Sequence, residues 1–273
     1  VSDGYLELAQ EEAEKFMGLY TKATIDLYSA STREAMVALL NDSVPFIIAD
    51  RTLNDEERSV AESADLSLQE LKIAVDALVV LVNKANALTS ISMEDLRRIV
   101  TGEITDWNEL PESQLAGPVE FASPEPNAGT FEIVQRYLIS GDKTPAPYAV
   151  VATQKDVGEY VARQSGGIGL ISASTLRSTS SAPDSTVVHF LSIAGVDSTG
   201  QPVEYGPHQA YIYLGTYPLH FPVFSIFNYE RSELAAGFSG FIASAPGQKL
   251  ILNRGIVPAT MPVRLVEIDK ENH

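Results

Sequence analysis

The sequence predicts an α/β protein of two lobes joined by two crossing strands. Three observations carry this. The N-terminal third alternates β-branched runs with amphipathic helices, the rhythm of a mostly parallel sheet covered by helices. A long strand-like run at 72–83 is followed by a change of character, so a second lobe opens near residue 80. A further apolar run at 221–227 returns the chain to the first lobe. The division predicted is lobe I at 1–77 and 226–273 and lobe II at 78–225, with hinge strands near 76–83 and 221–227. At 273 residues the chain is long for one small core and natural for two.

Residues 6–20 carry apolar side chains at helical spacing (Leu8, Ala13, Phe16, Met17), with Glu11, Glu12, Glu14 and Lys15 as the solvent-facing set. Residues 24–28 read as a strand. The helix 33–41 follows, with Ser31 or Thr32 as its N-cap and Glu34 in its first turn. Residues 44–49 form an apolar strand ending at Asp50, Arg51 and Thr52, and Asn54 or Asp55 opens a short acidic helix. In such sheets ligands sit at the carboxyl ends of strands, where helix N-termini present free N–H groups. Three loops qualify: Asp3-Gly4-Tyr5 (if Val1 ends a strand), residues 29–32 and residues 50–52.

In the second lobe, 92–101 is a helix closed by Gly102, and 119–122 is a strand. The loop 123–130 leads into the helix 131–139. Residues 166–171 are a turn feeding a strand, 178–185 a Ser/Thr/Pro loop, and 234–242 and 248–252 are helical.

Composition is that of a globular protein, 45% hydrophobic and 20% charged, and the longest apolar runs are too short to cross a bilayer. There is no cysteine, which excludes disulfides, thiol catalysis and Cys-ligated metals. The net charge of -17 disfavours nucleic acid, which needs a basic face. That charge slows anion encounter at low salt, but screening limits its reach to about 8 Å at physiological ionic strength. The four histidines (His189, His208, His220, His273) show no metal-ligand spacing, and no nucleophile elbow or P-loop is present, so neither a metal nor a cofactor is expected.

Residues 71–110 resemble the phosphate-binding, PstS-like family of ABC-transporter solute-binding proteins. The carrying residues are Ala74, Asp76, the run from Val79 to Asn83, Val100, Gly102, Ile104 and Trp107. Downstream, residues 127–138 stand where that family has its Ser-Gly-Thr loop and helix, and 165–172 resemble its Ala-Ile-Gly-Tyr strand. Residues 214–228 resemble its Tyr-Pro-Leu return strand, and 256–268 its C-terminal segment. The resemblance covers nearly the whole chain in order. It implies a type II periplasmic binding protein fold that closes on phosphate or a similar oxyanion and delivers it to a membrane permease. It further implies a monomer at the periplasmic or extracellular face, with a signal segment or lipid anchor outside this chain.

The ligand-binding set expected on both grounds is Gly4, Tyr5, Ser29, Ser31, Thr32, Asp50, Arg51, Asn127, Ala128, Gly129 and Thr130. Ser29, Ser31 and Thr32 supply hydroxyls and amides at a helix start, a pattern that simple capping also explains. Asp50 is repulsive to an anion unless the anion carries a proton to donate, as hydrogen phosphate does and sulfate at neutral pH does not. The alternative is an Asp capping its turn or pairing with Arg51. Gly129 permits close backbone approach, and Thr130 adds a hydroxyl and an N–H. Here the chain departs from the family: Pro124 and Ala128 stand where an Arg and a Ser are usual. Asp76 is placed at the hinge, and Trp107 and Tyr217 are read as packing. The competing functional reading is a non-transport sensor or scaffold with weakened anion binding. An enzymatic reading finds no nucleophile–base pair to support it.

Overall fold

The computed structural model describes residues 1–262 apart from Asn127, 140–144, 146, 147, 179–181 and Ser198, and apart from the Asp3 side chain. The sequence readings at Asn127, His273, 179–181 and 263–268 therefore lie outside the described residues. The helices are α1 Leu6–Leu19, α2 Thr32–Leu40, α3 Asp55–Ser63, α4 Met93–Val100, α5 Gly129–Leu138, α6 Gln154–Arg163, α7 Ala173–Leu176, α8 Gln209–Tyr213, α9 Glu233–Ile242 and α10 Ala245–Asn253. The strands are β1 Phe46–Ala49, β2 Leu68–Asn83, β3 Ser90–Ser92, β4 Glu120–Pro124, β5 Ala149–Val151, β6 Gly167–Ser172, β7 Val188–Val196, β8 Pro202–Tyr205, β9 His220–Asn228 and β10 Val257–Pro258.

The long strand β2 organises the molecule. Its residues 68–77 pair antiparallel with β9, and β9 pairs antiparallel with β1. Its residues 78–83 pair with β6 and β7, and β6 continues in parallel to β4 and β5. The sheet order is β1-β9-β2-β6-β4-β5, so one strand is shared by a first half (β1, β9, β10) and a second half (β6, β4, β5, β7). β9 lies in the ladder of 68–77 along its whole length, from Ala77↔His220 to Leu68↔Asn228. The chain thus rejoins the first half at Leu219, whose carbonyl accepts from Leu78 N–H at 2.8 Å. Residues Ala77 to Val82 are fully buried, the apolar pattern of a strand covered on both faces.

Local chemistry sets the helix starts. Ser31 caps α2 and forms a reciprocal box with Glu34; Asn54 does the same for α3 with Glu57, and Thr153 for α6 with Asp156. Gly102 closes α4 with φ 75°, a conformation in which a Cβ would be strained. Trp107 is buried and donates to Gly166 O at 3.0 Å, and Tyr217 is buried with its hydroxyl donating to Leu78 O at 2.8 Å, so both pack.

Three expectations fail. The sheet is not mostly parallel: β2 pairs antiparallel with β9, β10, β6 and β7, as β9 does with β1 and β7 with β8, because the two crossing strands run in opposite directions between the halves. Parallel pairing is confined to β4 with β5 and β6 and to β3 with β7. Residues 24–28 form no strand. They lie beside Val1 and Ser2, which bond to Tyr28 O, to Ala30 N and to Ile48 O. A groove of about 410 Å³ separates them from β1, so their alternating pattern finds no ladder. Glu12 does not face solvent. It shares the buried stripe of Leu8, Ala9, Ala13 and Phe16, one turn from Leu8 and one from Phe16, where α1 packs on α9 and α10. Neither carboxyl oxygen has a hydrogen-bond partner among the described residues, and burial pushes the group up to about 8.

Candidate functional site

Three chain segments end at one place. The Ser2–Tyr5 turn opens α1, the Ser31 cap opens α2, and β1 ends at Asp50. Thr32, the first residue of α2, is fully buried; its Oγ1 lies 3.1 Å from Asp50 Oδ1, to which it donates, and 3.2 Å from Ser2 Oγ. Asp50 is itself buried. Burial pushes its carboxyl up to about 6, against the lowering effect of the Thr32 hydrogen bond, and the Glu132 charge adds to the rise.

The second half meets this carboxylate at Gly129, the first residue of α5. A Cβ there would stand 1.9 Å from Asp50 Oδ2 and 2.4 Å from Thr32 Oγ1, so only glycine permits the approach. The N-cap of α5 is Ala128, with no side chain to satisfy the first amides of the helix. The helix start, with its positive dipole end and no side-chain cap, therefore lies against the one buried carboxylate at the end of β1. Thr130 is buried beside it.

Arg51 bridges the same joint a few ångströms on. Two of its nitrogens hold Glu57 (2.7 and 3.0 Å), and Nε reaches Glu132 of α5 at 2.8 Å. These pairs raise the guanidinium above its ordinary value despite burial. Its hydrogen-bonding fork is occupied by two carboxylates of this chain.

The remaining expected residues separate into two groups. Ser31 is engaged in its cap: Oγ accepts from Glu34 N–H at 3.2 Å, while Glu34 takes the Ser31 hydroxyl and amide, which holds Glu34 below its usual range. Tyr5 is buried and directed at Asp76 rather than at Asp50. Asp76 sits at the point where β2 passes between the halves; its Oδ1 accepts from Ala77 N at 2.7 Å and Ser174 N at 3.3 Å, and burial pushes it up to about 6. Gly4 and Ser29 line a cavity of about 270 Å³ between the halves, and Gly4 O accepts from Ser174 Oγ at 3.5 Å. Asn127 lies outside the described residues.

The sequence reading did not single out Ser2, Glu132 or the polar cluster of Gln154, Ser172, Ser174 and Thr175. For the cluster a signal existed: Thr153-Gln-Lys-Asp156 is a capping-box spacing that marks the start of α6. For Ser2 and Glu132 the role arises only from tertiary placement. No group of three or more potential metal-ligating side chains exists among the described residues, and no helix among them is long and apolar enough to cross a membrane.

A family model for the PBP superfamily domain matches residues 1–246. The phosphate-binding protein PstS of Staphylococcus haemolyticus is 28% identical over 134 residues, 49% of this chain and 42% of that protein. Protein SphX of Synechococcus elongatus is 24% identical over 240 residues, 86% of this chain and 68% of that one. Among solved structures, a Clostridium perfringens protein crystallised with bound phosphate superposes with a TM-score of 0.78 at 20% identity, covering 94% of this chain and 97% of its own. An ABC-type phosphate transport receptor from Vibrio cholerae gives 0.73 at 21% identity, covering 96% and 98%. At these identities the structural likenesses show the fold, that of the type II periplasmic binding proteins.

Proposed function

The chain belongs to the PBP superfamily, and from that premise we propose that it is an extracytoplasmic solute-binding protein. It captures phosphate, or a similar oxyanion that carries a proton, between two lobes and hands it to an ABC-transporter permease. The lobes are the two halves of the sheet that share β2, and the hinge is β2 near Asp76 with the return at Leu219. The relatives named above as phosphate-binding proteins support this reading, as does the model that matches nine-tenths of the chain.

The observation that carries it is the meeting of Asp50, Thr32 and the α5 N-terminus. Amides and a hydroxyl supply donors to an oxyanion, and a buried carboxylate accepts the anion's own proton. Sulfate has no proton to give at neutral pH, so the carboxylate rejects it. Asp50 Oδ2 and Gly129 are in contact, so an anion reaches the carboxylate only when the lobes part. Binding therefore includes an opening and closing step.

A thermal-shift and titration panel of phosphate, arsenate, sulfate and molybdate tests the reading. Phosphate and arsenate should stabilise the protein and sulfate should not. A folded protein that no oxyanion stabilises would overturn it.

One observation favours a second reading, a sensor or scaffold that keeps the fold with weak anion binding. Pro124 and Ala128 replace a charged and a hydroxyl donor, and Arg51 is committed to Glu57 and Glu132. Each missing charge-assisted bond costs about 1.5–3 kcal/mol. Phosphate affinity in the millimolar range would favour this reading, and micromolar or tighter affinity the transport one.

A further inference from the structure

The cavity of about 270 Å³ between the halves abuts the anion loops through Gly4 and Ser29. Its other walls are Glu7 of α1, the start of α6, the start of α7, Ser178 and Arg254. A water occupies about 30 Å³ of liquid, so the space holds on the order of nine.

Gln154 defines its chemistry. The residue is 5% exposed, and its Oε1 is fixed by three donors: Ser172 N at 2.7 Å, Ser172 Oγ at 2.8 Å and Thr175 Oγ1 at 2.9 Å. With Oε1 accepting all three, the amide orientation is set, and Nε2 must be the free end. Nε2 has no hydrogen-bond partner among the described residues, and it is not one of the enclosed unpaired side-chain atoms, so it is open to the cavity. It lies beside Gly4, where a Cβ would approach it to 2.8 Å. Lys155 is exposed at the rim and makes no hydrogen bond or ion pair among the described residues, whereas Arg254 is neutralised by Glu7 and Glu11. The wall thus offers a pre-oriented amide donor and a free ammonium. Of the hydroxyls around them, Thr153 is committed to Asp156 and Ser178 donates to Glu7, and Ser29 also lines the cavity.

We propose that this cavity is a second subsite, and that it takes the hydroxyl-bearing substituent of a small phosphate monoester whose phosphoryl group sits at Thr32, Asp50 and Gly129. The inference rests on the anion-binding reading above and extends it. The ester oxygen leaves the phosphoryl site between Gly4 and Ser29. A substituent hydroxyl accepts from Gln154 Nε2, and a second reaches Lys155. The mixed lining favours a polyol over a second dianion, because Glu7 stands in the same wall. It also gives the departure at Pro124 and Ala128 a consequence: donors lost around the phosphoryl group are replaced by donors to its substituent.

The test is calorimetric titration of the intact chain with inorganic phosphate, glycerol 3-phosphate and ethyl phosphate, the last carrying no hydroxyl on its substituent. Glycerol 3-phosphate should bind about tenfold more tightly than ethyl phosphate, the effect of one good hydrogen bond. Gln154→Glu keeps the acceptor for Ser172 and Thr175 and removes the donor. Lys155→Met changes only the exposed rim, so it remains informative if the first variant folds poorly. Each should reduce that ratio severalfold and leave inorganic phosphate affinity within a factor of two. Phosphate binding with no preference for glycerol 3-phosphate over ethyl phosphate would overturn the subsite and leave the anion reading intact. The same holds if Lys155→Met leaves the ratio unchanged. If no phosphate species binds, the anion reading falls and the subsite with it.

Discussion

Gly129→Ala tests the joint between the two halves directly. The added methyl would stand 1.9 Å from Asp50 Oδ2 and 2.4 Å from Thr32 Oγ1. Carbon and oxygen at rest lie about 3.5 Å apart, so roughly 1.5 Å of retreat is needed. Asp50 and Thr32 are buried and bonded to each other, so the start of α5 must give way. That movement stretches the Arg51–Glu132 pair from 2.8 Å to about 4 Å, the limit of a direct ion pair. Overpacking of this kind costs about 1–3 kcal/mol, or roughly 3–10 °C of melting temperature for a chain of this size. It also moves the α5 amides off the line they share with Asp50. Losing one charge-assisted bond of about 1.5–3 kcal/mol weakens phosphate by at least about tenfold. Thermal melts and titrations of parent and variant read both effects. A variant that melts within 1 °C of the parent (about the resolution of such a melt) and binds phosphate within about twofold would refute the packing argument.

Three further predictions follow from the buried carboxyls and the pair across the joint. Glu12 is raised to about 8 from 4.5, so its contribution is complete below pH 4.5 and is lost as pH rises toward 8, on the order of 3 kcal/mol by pH 7. Glu12→Gln should therefore stabilise the chain at pH 7–8 and flatten its melting temperature against pH; parallel pH profiles for parent and variant would rule this out. Asp50 is raised to about 6 from 3.8, so the ligand-free chain loses stability as pH climbs through that window. Asp50→Asn should raise the melting temperature of the ligand-free protein above pH 6 and reduce discrimination between phosphate and sulfate; unchanged selectivity would reject the proton-accepting role. Glu132→Gln leaves Arg51 with Glu57 and removes one charge pair across the joint, costing about 1 kcal/mol. Stopped-flow measurement should then show faster phosphate association, and an association rate equal to the parent's would mean that the pair does not restrain opening.

The legible part of the fold was the part written in local chemistry. Ser31 with Glu34 and Asn54 with Glu57 announce helix starts because a cap and its third residue are neighbours in sequence. Residues 72–83 announce a strand covered on both faces because a continuous apolar run has few other solutions. The misreadings have an equally specific cause. Glu12 lies within Glu-Glu-Ala-Glu-Lys, where every local rule assigns solvent, and only the packing of α1 on α9 and α10 turns that position inward. Residues 24–28 have the alternation of a strand, but alternation does not supply a neighbour to pair with. Gln154 and Asp50 stand 104 positions apart, and nothing short of the sheet order brings their elements to one cleft.

The charge of the site opposes anion binding both in the whole chain and at the joint. A chain of net charge -17 places Asp50, Glu57 and Glu132 around one joint, and Arg51 is consumed by two of them. Arg136 acts on Asp50 and Arg33 on Glu57 through space, but both are exposed, so the charge inside the joint stays negative. What is left to attract an anion is the start of α5, uncapped because Ala128 has no oxygen to offer, and the start of α2 behind Thr32. Backbone dipoles of this kind act within a turn of the helix end, well inside the distance over which salt screens the distant acidic surface. Such a site holds a singly charged, protonated oxyanion better than a fully ionised one, because each added negative charge meets three carboxylates and only one new set of amides. Affinity for phosphate should accordingly fall as pH rises through the second ionisation of the ligand, from pH 6 to 8. A constant affinity across that range would mean that Arg51 leaves Glu132 to meet the dianion.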